Sequence, residues 1–238
     1  MELELTPVKW HVGISLAPEI DLRKERLQGF YRALHDAHPS IFNKPVRLAD
    51  GEPLVVISEP SRPLAEPTCL VTAGSVQFNL LEPTSGDREL TVAVATLLCE
   101  QAEKHFGDLE RVARVGKAAE LLGTVPPEHG TATDVVRRAM TRFDDADGIG
   151  AVLVRVVLRE MGKNINLLVE ARMPVPSSGP LPLQEEAMQQ RFRVQCDINN
   201  TNVSGSVSPQ EAAEIVRFAD EWVDTKLEPF IMRRIQRE

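Results

Sequence analysis

One pattern occurs twice in the chain and constrains the fold more than any other feature. In each copy a run with β-strand character precedes a capped amphipathic segment: residues 69–81 and then 87–106, and residues 191–199 and then 208–230. A long helix with an apolar stripe needs a surface to cover, and the neighbouring strands supply one. We therefore predict that both helices lie across a shared antiparallel sheet, as parts of a pseudo-duplicated unit.

Strand patterns occupy most of the chain between these helices. Residues 8–16 alternate apolar and polar side chains, which predicts a strand with one buried face. Residues 151–158 and 165–171 are rich in β-branched residues and enclose the turn residues 161–164, which predicts a β-hairpin. The remaining strands are predicted at residues 54–57, 69–81, 110–115 and 189–197, and loops at residues 43–53, 58–68, 121–130 and 174–182.

Shorter helices complete the expected order of elements. They are predicted at residues 21–37 and 133–143, while Ser208 and Glu211 form a capping box at the start of the last helix. Pro229 is expected to kink or end that helix. Local antiparallel hairpins beside long helices favour an α+β fold, with a mainly antiparallel sheet covered by amphipathic helices, over a doubly wound fold. We expect two α+β halves, residues 1–107 and 108–238, that share one compact core.

Composition narrows the class of protein. The formal net charge of −8 repels phosphate backbones and lowers the prior for nucleic-acid binding. Cys69, Cys99 and Cys196 are odd in number and form no CxxC pair, so we expect buried, inert thiols instead of disulfides or a zinc ribbon. The N-terminal residues lack a basic segment and a long apolar stretch, so we expect no signal peptide, no membrane span and a cytoplasmic location.

Three segments carry a resemblance to a known group of proteins. They are the amphipathic strand at residues 11–16, the run LERVARVGKAAE at residues 109–120, and FRVQCDIN at residues 192–199 before a helix that reaches the aromatic Phe230. In their order along the chain they resemble a family of uncharacterised, sporadically distributed bacterial proteins of about this size. The resemblance covers nearly the whole chain and implies an α+β fold. It implies no activity and no functional residues.

Two polar segments are candidate binding sites. The first precedes the N-terminus of the last helix, where free backbone N–H groups bind anions, although Ser208 already caps that terminus. The second is a basic cluster on the short helix at residues 133–143, which suggests contacts to nucleic acid. The ligand-binding candidates are Asn199, Asn200, Thr201, Asn202 and Ser204, and the nucleic-acid candidates are Arg137, Arg138 and Arg142.

Other titratable groups favour structural explanations. Asp220 and Asp224 are four residues apart on the last helix and are expected to be solubilising charge on an exposed face. His35 and His38 share a helix end, but no further metal ligand is indicated near them. No glycine-rich phosphate loop, nucleophile elbow or metalloprotease motif occurs in the chain. We therefore predict no catalytic residue, no metal site and no cofactor.

Three hypotheses about function remain open. The leading one is a non-enzymatic binding or scaffold protein that acts through its surface, with a protein partner or as a homodimer. The second is an enzyme with a site assembled from scattered residues, which a pocket with two titratable side chains in hydrogen-bond reach would favour. The third is a nucleic-acid-associated regulator that uses the basic cluster. The sequence selects no small-molecule ligand.

Overall fold

A computed structural model describes residues 4–57, 68–107, 111–141, 151–172, 190–201 and 205–235. These residues form one nine-stranded antiparallel sheet with all its helices on one face, which confirms the predicted α+β class. The strands are β1 (Glu4–Ala17), β2 (Lys44–Arg47), β3 (Leu54–Ile57), β4 (Cys69–Thr72), β5 (Ser75–Leu81), β6 (Arg111–Thr124), β7 (Ala151–Glu160), β8 (Lys163–Arg172) and β9 (Arg191–Asn200). The helices are α1 (Lys24–Ala37), α2 (Arg88–Phe106), α3 (Ala132–Met140), α4 (Pro209–Trp222) and α5 (Glu228–Ile235).

The order of strands across the sheet is similar on the two sides of its centre. It runs β2-β3-β4-β5-β1-β6-β9-β8-β7, so the two halves meet at the central pair β1 and β6. Within each half the first strand pairs with the last one, β1 with β5 and β6 with β9. A helix then follows each of those last strands: α2 after β5, and α4 after β9. Both helices lie across one sheet, as the sequence predicts, and they also pack against each other, which was not predicted.

One face of the sheet carries the apolar core. Alternate residues of each long strand are buried beneath the helices, for example Trp10, Val12, Ile14 and Leu16 of β1. This follows from the two-residue period of strand side chains. One buried cluster lies under α1 and α2 and a second under α3 and α5, and both include residues of α4. The opposite face of the sheet bears no helix among the described residues.

Several predicted elements differ in extent from the structure. The predicted strand at residues 69–81 is two strands, β4 and β5, because Ala73 and Gly74 form a tight turn. Strand β6 continues to Thr124, where a loop was expected, because hydrogen bonds from β1 and β9 hold residues of low strand propensity in the sheet. Strand β2 was not predicted, since Pro45 reads as a loop residue but is tolerated at a sheet edge.

The final helix does not end at Pro229, and a kink there stays a prediction. A π-helical turn at Val223–Leu227 joins α4 to α5, and Pro229 is the second residue of α5. Such a wider turn is a usual way for a helix to accommodate a residue that cannot continue the regular hydrogen-bond ladder. The capping box of Ser208 and Glu211 at the start of α4 is formed as predicted.

A single lysine interrupts the apolar side of the central strands. Lys117 of β6 is 2% exposed, and its Nζ donates to Asp220 Oδ1 of α4 at 2.5 Å and to Thr91 Oγ1 of α2 at 2.8 Å. The same Nζ lies 4.0 Å from the ring centroid of Trp10 in β1. Burial lowers the pKa of Lys117 and raises that of Asp220, because both charged forms lose water. The expectation that Asp220 lies on an exposed face is therefore wrong.

Asp224 is one helical turn from Asp220 but lies in a different environment. It forms an ion pair with Arg88 of α2 at 2.5 Å, in which both side chains keep more than a third of their exposure. Exposed pairs of this kind contribute about 0–1 kcal/mol to stability. Asp220 thus pairs with a buried lysine and Asp224 with an exposed arginine. Because both aspartates lie on the final helix, alanine substitutions at the two positions can be compared directly.

We expect Asp220→Ala to lower the free energy of unfolding by about 3–5 kcal/mol, because it leaves the charge of Lys117 buried without a carboxylate. Asp224→Ala is expected to cost about 0–1 kcal/mol. Urea unfolding followed by circular dichroism measures both values. A Lys117→Met/Asp220→Leu double variant should recover most of the loss, since it removes both buried charges together. Equal costs for the two alanine variants would contradict the buried-pair assignment.

The three cysteines give a second test of the core. Cys69, Cys99 and Cys196 are buried, and burial raises the pKa of each thiol to about 12. At pH 8 a pKa of 12 leaves about one thiol in ten thousand as the reactive thiolate. We expect the native protein to react very slowly with Ellman's reagent and the protein in guanidinium to release three equivalents promptly. A thiol that reacts in the native state at the rate of free cysteine would disprove the burial of that side chain.

Candidate functional site

The candidate site lies at the centre of the helix-free face of the sheet. Three adjoining hollows of about 190, 420 and 490 Å³ share lining residues, so they are parts of one groove, which we call the central groove. The groove is lined by residues of β4, β5, β1, β6, β9, β8 and β7. The side chains on which the argument depends are His11, Asn79, Arg114, Arg155, Asp197 and Asn199.

Small residues form the floor of the groove. Gly13 of β1 pairs directly with Gly116 of β6. The neighbouring pair whose side chains point to the same face of the sheet is His11 with Ala118. Paired residues of adjacent strands point to the same face, so the two central strands carry almost no side-chain volume at this point. Larger side chains of the flanking strands then stand above this floor as walls. A concave surface follows from the sequence of two strands that lie about a hundred residues apart.

The imidazole of His11 directs its Nε2 edge at Gly13. Its Nε2 is 3.0 Å from the position that a Cβ on Gly13 would occupy, closer than nearly all real contacts of that type. Its Nδ1 lies 2.8 Å from Oδ1 of Asn79, and since an amide oxygen only accepts, Nδ1 donates. In the neutral imidazole the proton is then on Nδ1, and Nε2 is a hydrogen-bond acceptor. The strand register fixes this orientation, because Asn79 is opposite His11.

Asn199 packs into the space that Gly116 leaves. A Cβ on Gly116 would lie 2.8 Å from Cβ of Asn199, so the close approach requires glycine at this position. Asn199 is 1% exposed, and its Nδ2 donates to both carboxylate oxygens of Asp197 at 3.2 Å. Its Oδ1 is buried and accepts no hydrogen bond from the described residues. A buried acceptor without a donor costs about 1–3 kcal/mol, a cost that a donor group of a ligand or water would remove.

Charged groups in the groove are left unneutralised. Among the described residues, the hydrogen-bond partners of the Asp197 carboxylate are the neutral amides of Asn199 and, at 3.5 Å, of Asn166. Arg114 and Arg155 line the same hollow as Asp197 but form no ion pair with it or with any other described residue. The hollow that these three side chains share thus contains one carboxylate and two guanidinium groups that form no ion pair with one another.

One of the three hollows is lined by an ion pair between Arg193 and Glu120. Arg193 of β9 donates to Glu120 of β6 at 2.6 Å. These two titratable side chains are in hydrogen-bond reach, which is the geometric criterion for a site assembled from scattered residues. Because arginine does not release its proton, Glu120 is the one member of this pair that can exchange a proton. The hypothesis of an enzyme stays a prediction, because no contact among the described residues of the groove identifies a catalytic group.

The predicted ligand-binding residues separate in the structure. Asn199 and Asn200 are the last two residues of β9, Thr201 follows them, and Asn202 and Ser204 lie outside the described residues. Asn199 alone of the described three lines the groove. Asn200 Oδ1 accepts from the N–H of Val115, and Thr201 donates to the carbonyl of Gly162, so both make contacts within the fold.

The predicted nucleic-acid cluster is distant from the groove. Arg137 and Arg138 lie on α3, on the helical side of the sheet, and Arg142 lies outside the described residues. Arg137 is largely buried and pairs weakly with Asp134 at 3.9 Å. Arg138 is exposed and donates to the carbonyls of Asp134 and His129. The contact with nucleic acid stays a prediction.

Sequence reasoning missed most of the groove because its residues are distant in the chain. His11 and Gly13 occur in a strand that was recognised by its alternation, yet only the pairing with β6 places Gly116 and Ala118 beside them. The signal that was present is Gly13 on the polar side of one predicted strand and Gly116 directly after another. Glycine inside a strand often marks the close approach of another group.

The described residues supply neither a metal site nor a membrane-crossing helix. No group of three or more His, Cys, Asp or Glu side chains is placed to hold a metal ion within the described ranges. In those same ranges no helix has the length and apolar character needed to cross a bilayer. Comparisons with protein-family models, with curated proteins and with solved structures find no match for the chain.

Proposed function

We propose that this chain is a binding protein that holds a small polar molecule in the central groove. The observation that carries this proposal is the facing pair Gly13 and Gly116 on the helix-free side of the two central strands. An ordinary solvated sheet face has no need for adjacent glycines, which weaken a strand by loss of side-chain packing. Here the two glycines lie in the β1–β6 pairing, which is the longest in the sheet. Their lack of side chains creates the concave floor.

The walls of the groove support the same proposal. Ligand sites combine a concave surface with a few polar groups of fixed orientation. His11 is held by Asn79, and Asp197 is held by Asn199, so two polar side chains have defined directions before any ligand arrives. Preorganised groups of this kind lower the entropy lost on binding.

Self-association is a second candidate, and the end strand β7 favours it. Leu153 and Val157 are 60% and 56% exposed on the helix-free face of β7, and Met161 in the following turn is 76% exposed. Long strands at the end of a sheet also offer unpaired backbone groups to another strand. We propose a second copy of this chain as the partner, since symmetric dimers are the commonest oligomers. This second proposal retains the hypothesis of self-association that was made from the sequence. It does not depend on the central groove.

The groove proposal is tested by screening compounds against thermal unfolding. A panel of amino acids, dicarboxylates, sugar phosphates and nucleotides is added to the full chain, and the melting temperature is measured. At a concentration about a hundred times Kd, a ligand stabilises the native state by about 2.7 kcal/mol. For a chain of this size each kcal/mol raises Tm by roughly 2–4 °C. We expect at least one compound class to raise Tm by several degrees.

Two substitutions decide whether the groove holds that compound. Ala118→Trp fills the groove from its floor, whereas Arg159→Trp adds the same side chain on an exposed position of β7 outside the groove. We expect Ala118→Trp to abolish the shift and Arg159→Trp to retain it, with both apo proteins near the wild-type Tm. A shift that persists in Ala118→Trp, or a panel without any shift, would refute binding in the groove.

The dimer proposal is tested by light scattering coupled to size exclusion. We expect the wild-type chain at tens of micromolar to have twice its mass of 26.4 kDa. A Leu153→Glu/Val157→Glu variant should elute as a monomer, because two carboxylates would be desolvated at the contact. A wild-type mass equal to that of one chain would reject self-association and would leave the groove proposal unaffected.

A further inference from the structure

The end strand of the sheet carries a residue pattern that is symmetric about Arg155. Strand β7 is the last strand of the sheet, and its outer edge pairs with no strand among the described residues. Arg155 has three apolar residues on each side, which are Val152, Leu153 and Val154 before it and Val156, Val157 and Leu158 after it. Two identical strands that pair antiparallel around a two-fold axis place residues equally distant from that axis opposite each other. The pattern therefore suits pairing with a second copy of the chain.

The turn after β7 determines which backbone groups of this strand face outward. Met161 and Gly162 have φ values of 47° and 70°, and Glu160 pairs with Lys163, so a two-residue type I′ turn joins β7 to β8. The residues that flank such a turn exchange both backbone hydrogen bonds, and this exchange recurs at every second residue. The even-numbered residues of β7 therefore bond to β8. Arg155 and the other odd-numbered residues direct their N–H and C=O groups to the open edge.

A two-fold axis at Arg155 matches apolar side chains on both faces of the strand. Residues with outward backbone groups must face each other, so the axis passes through a residue position. On the helix-free face Leu153 then lies opposite Val157 of the second copy, and these side chains are 60% and 56% exposed in one copy. On the helical face the half-buried Val154 lies opposite the half-buried Val156. Pairing thus covers apolar surface that one copy leaves in water.

Axes at the neighbouring positions match the two copies less well. An axis at Val156 places Leu153 opposite Arg159, so an apolar side chain meets a charge. An axis at Val157 places Arg155 opposite Arg159 in two places, and directly opposed like charges destabilise strand pairing. An axis one residue before Arg155 leaves the last residues of β7 without a partner in the strand. The axis at Arg155 keeps the apolar residues together along the whole strand.

The same axis brings two guanidinium groups together. Arg155 is exposed on the helix-free face and forms no ion pair with another described residue. Its Cα would lie about 5.5 Å from that of the second copy, because the two residues form a hydrogen-bonded pair. The two positive charges repel each other at this separation, and an anion between them removes the repulsion. Guanidinium groups match the paired oxygens of an oxyanion.

We propose that two copies of the chain pair through β7 with Arg155 on the two-fold axis, and that the two Arg155 side chains bind one divalent tetrahedral oxyanion. This inference rests on the proposed self-association and names both its contact and its ligand. The site is complete only in the dimer, because each copy supplies one guanidinium group. Binding of the oxyanion and dimerisation therefore strengthen each other.

Disulfide formation between copies locates the axis. Arg155→Cys places two thiols opposite each other at a Cα separation that a disulfide spans. Oxidised glutathione, which is reduced as the two thiols join, is expected to link most Arg155→Cys chains into covalent dimers. Val157→Cys, on the same strand and face, should form no linked dimer by itself but should form one when mixed with Leu153→Cys. The wild-type chain is the control for the buried native cysteines.

The monomer–dimer equilibrium tests the oxyanion. Sedimentation equilibrium in sodium chloride and in sodium sulfate at equal ionic strength removes the difference in general screening. We expect the dissociation constant of the wild-type dimer to be about tenfold lower in sulfate, the factor for one charge-assisted hydrogen bond. Arg155→Val should dimerise without this difference. Arg159→Val, on the same strand and face but away from the axis, should retain it.

The outcomes separate this inference from the proposed self-association. A wild-type mass of one chain in both salts rejects both. If the wild-type chain is a dimer but Val157→Cys links by itself, or Arg155→Cys does not link, the axis lies elsewhere; the inference is then wrong and self-association stands. The inference also fails if sulfate strengthens the Arg155→Val dimer as much as the wild type, since sulfate then acts on apolar burial in general. Melting temperatures near the wild-type value verify that each variant is folded.

Discussion

The contact of Lys117 with Asp220 and Thr91 connects the parts of this fold that are most distant in the sequence. One ammonium group of β6 bonds to α4 and α2 and lies against Trp10 of β1, so it joins the two central strands to the two central helices. Apolar burial alone would allow helices to slide over a sheet, because the hydrophobic effect has no direction. A buried ammonium that must meet one carboxylate and one hydroxyl disfavours other positions of the helices on the sheet. Lys117 thus contacts elements from both ends of the chain through one set of interactions.

The direction of the Lys117 side chain has a consequence on the opposite face of the same strands. Lys117 points to the helices, so its neighbours Gly116 and Ala118 point to the helix-free face, where they form the groove floor. The pairing of Gly13 with Gly116 and of His11 with Ala118 depends on the register of β1 against β6. A shift by one residue would turn each of these side chains to the other face. The contact that stabilises the core thus also shapes the groove.

Local sequence signals predicted most elements. The alternation of residues 8–16 predicted β1, and the capping box at Ser208 predicted the start of α4, because both signals act within one element. The extension of β6 to Thr124 and the existence of β2 were not predictable, since tertiary pairing supplies the hydrogen bonds that these segments lack by propensity. Of the predicted ligand-binding residues described in the structure, only Asn199 lines the groove, because that prediction searched for a helix terminus instead of a sheet face.

The sequence by itself determined the class of fold, the duplicated order of strands and helices, and the burial of its cysteines. These features follow from periodicity, capping and composition, which are properties of neighbouring residues. Only the tertiary structure decided that Asp220 is paired in the interior, and that Gly13, Gly116, Asp197 and Arg155 share one groove. Strand pairing brings together residues as distant in the chain as Glu4 and Thr124. These contacts join residues that are distant in the sequence. A local pattern of residues does not specify which strands pair with each other.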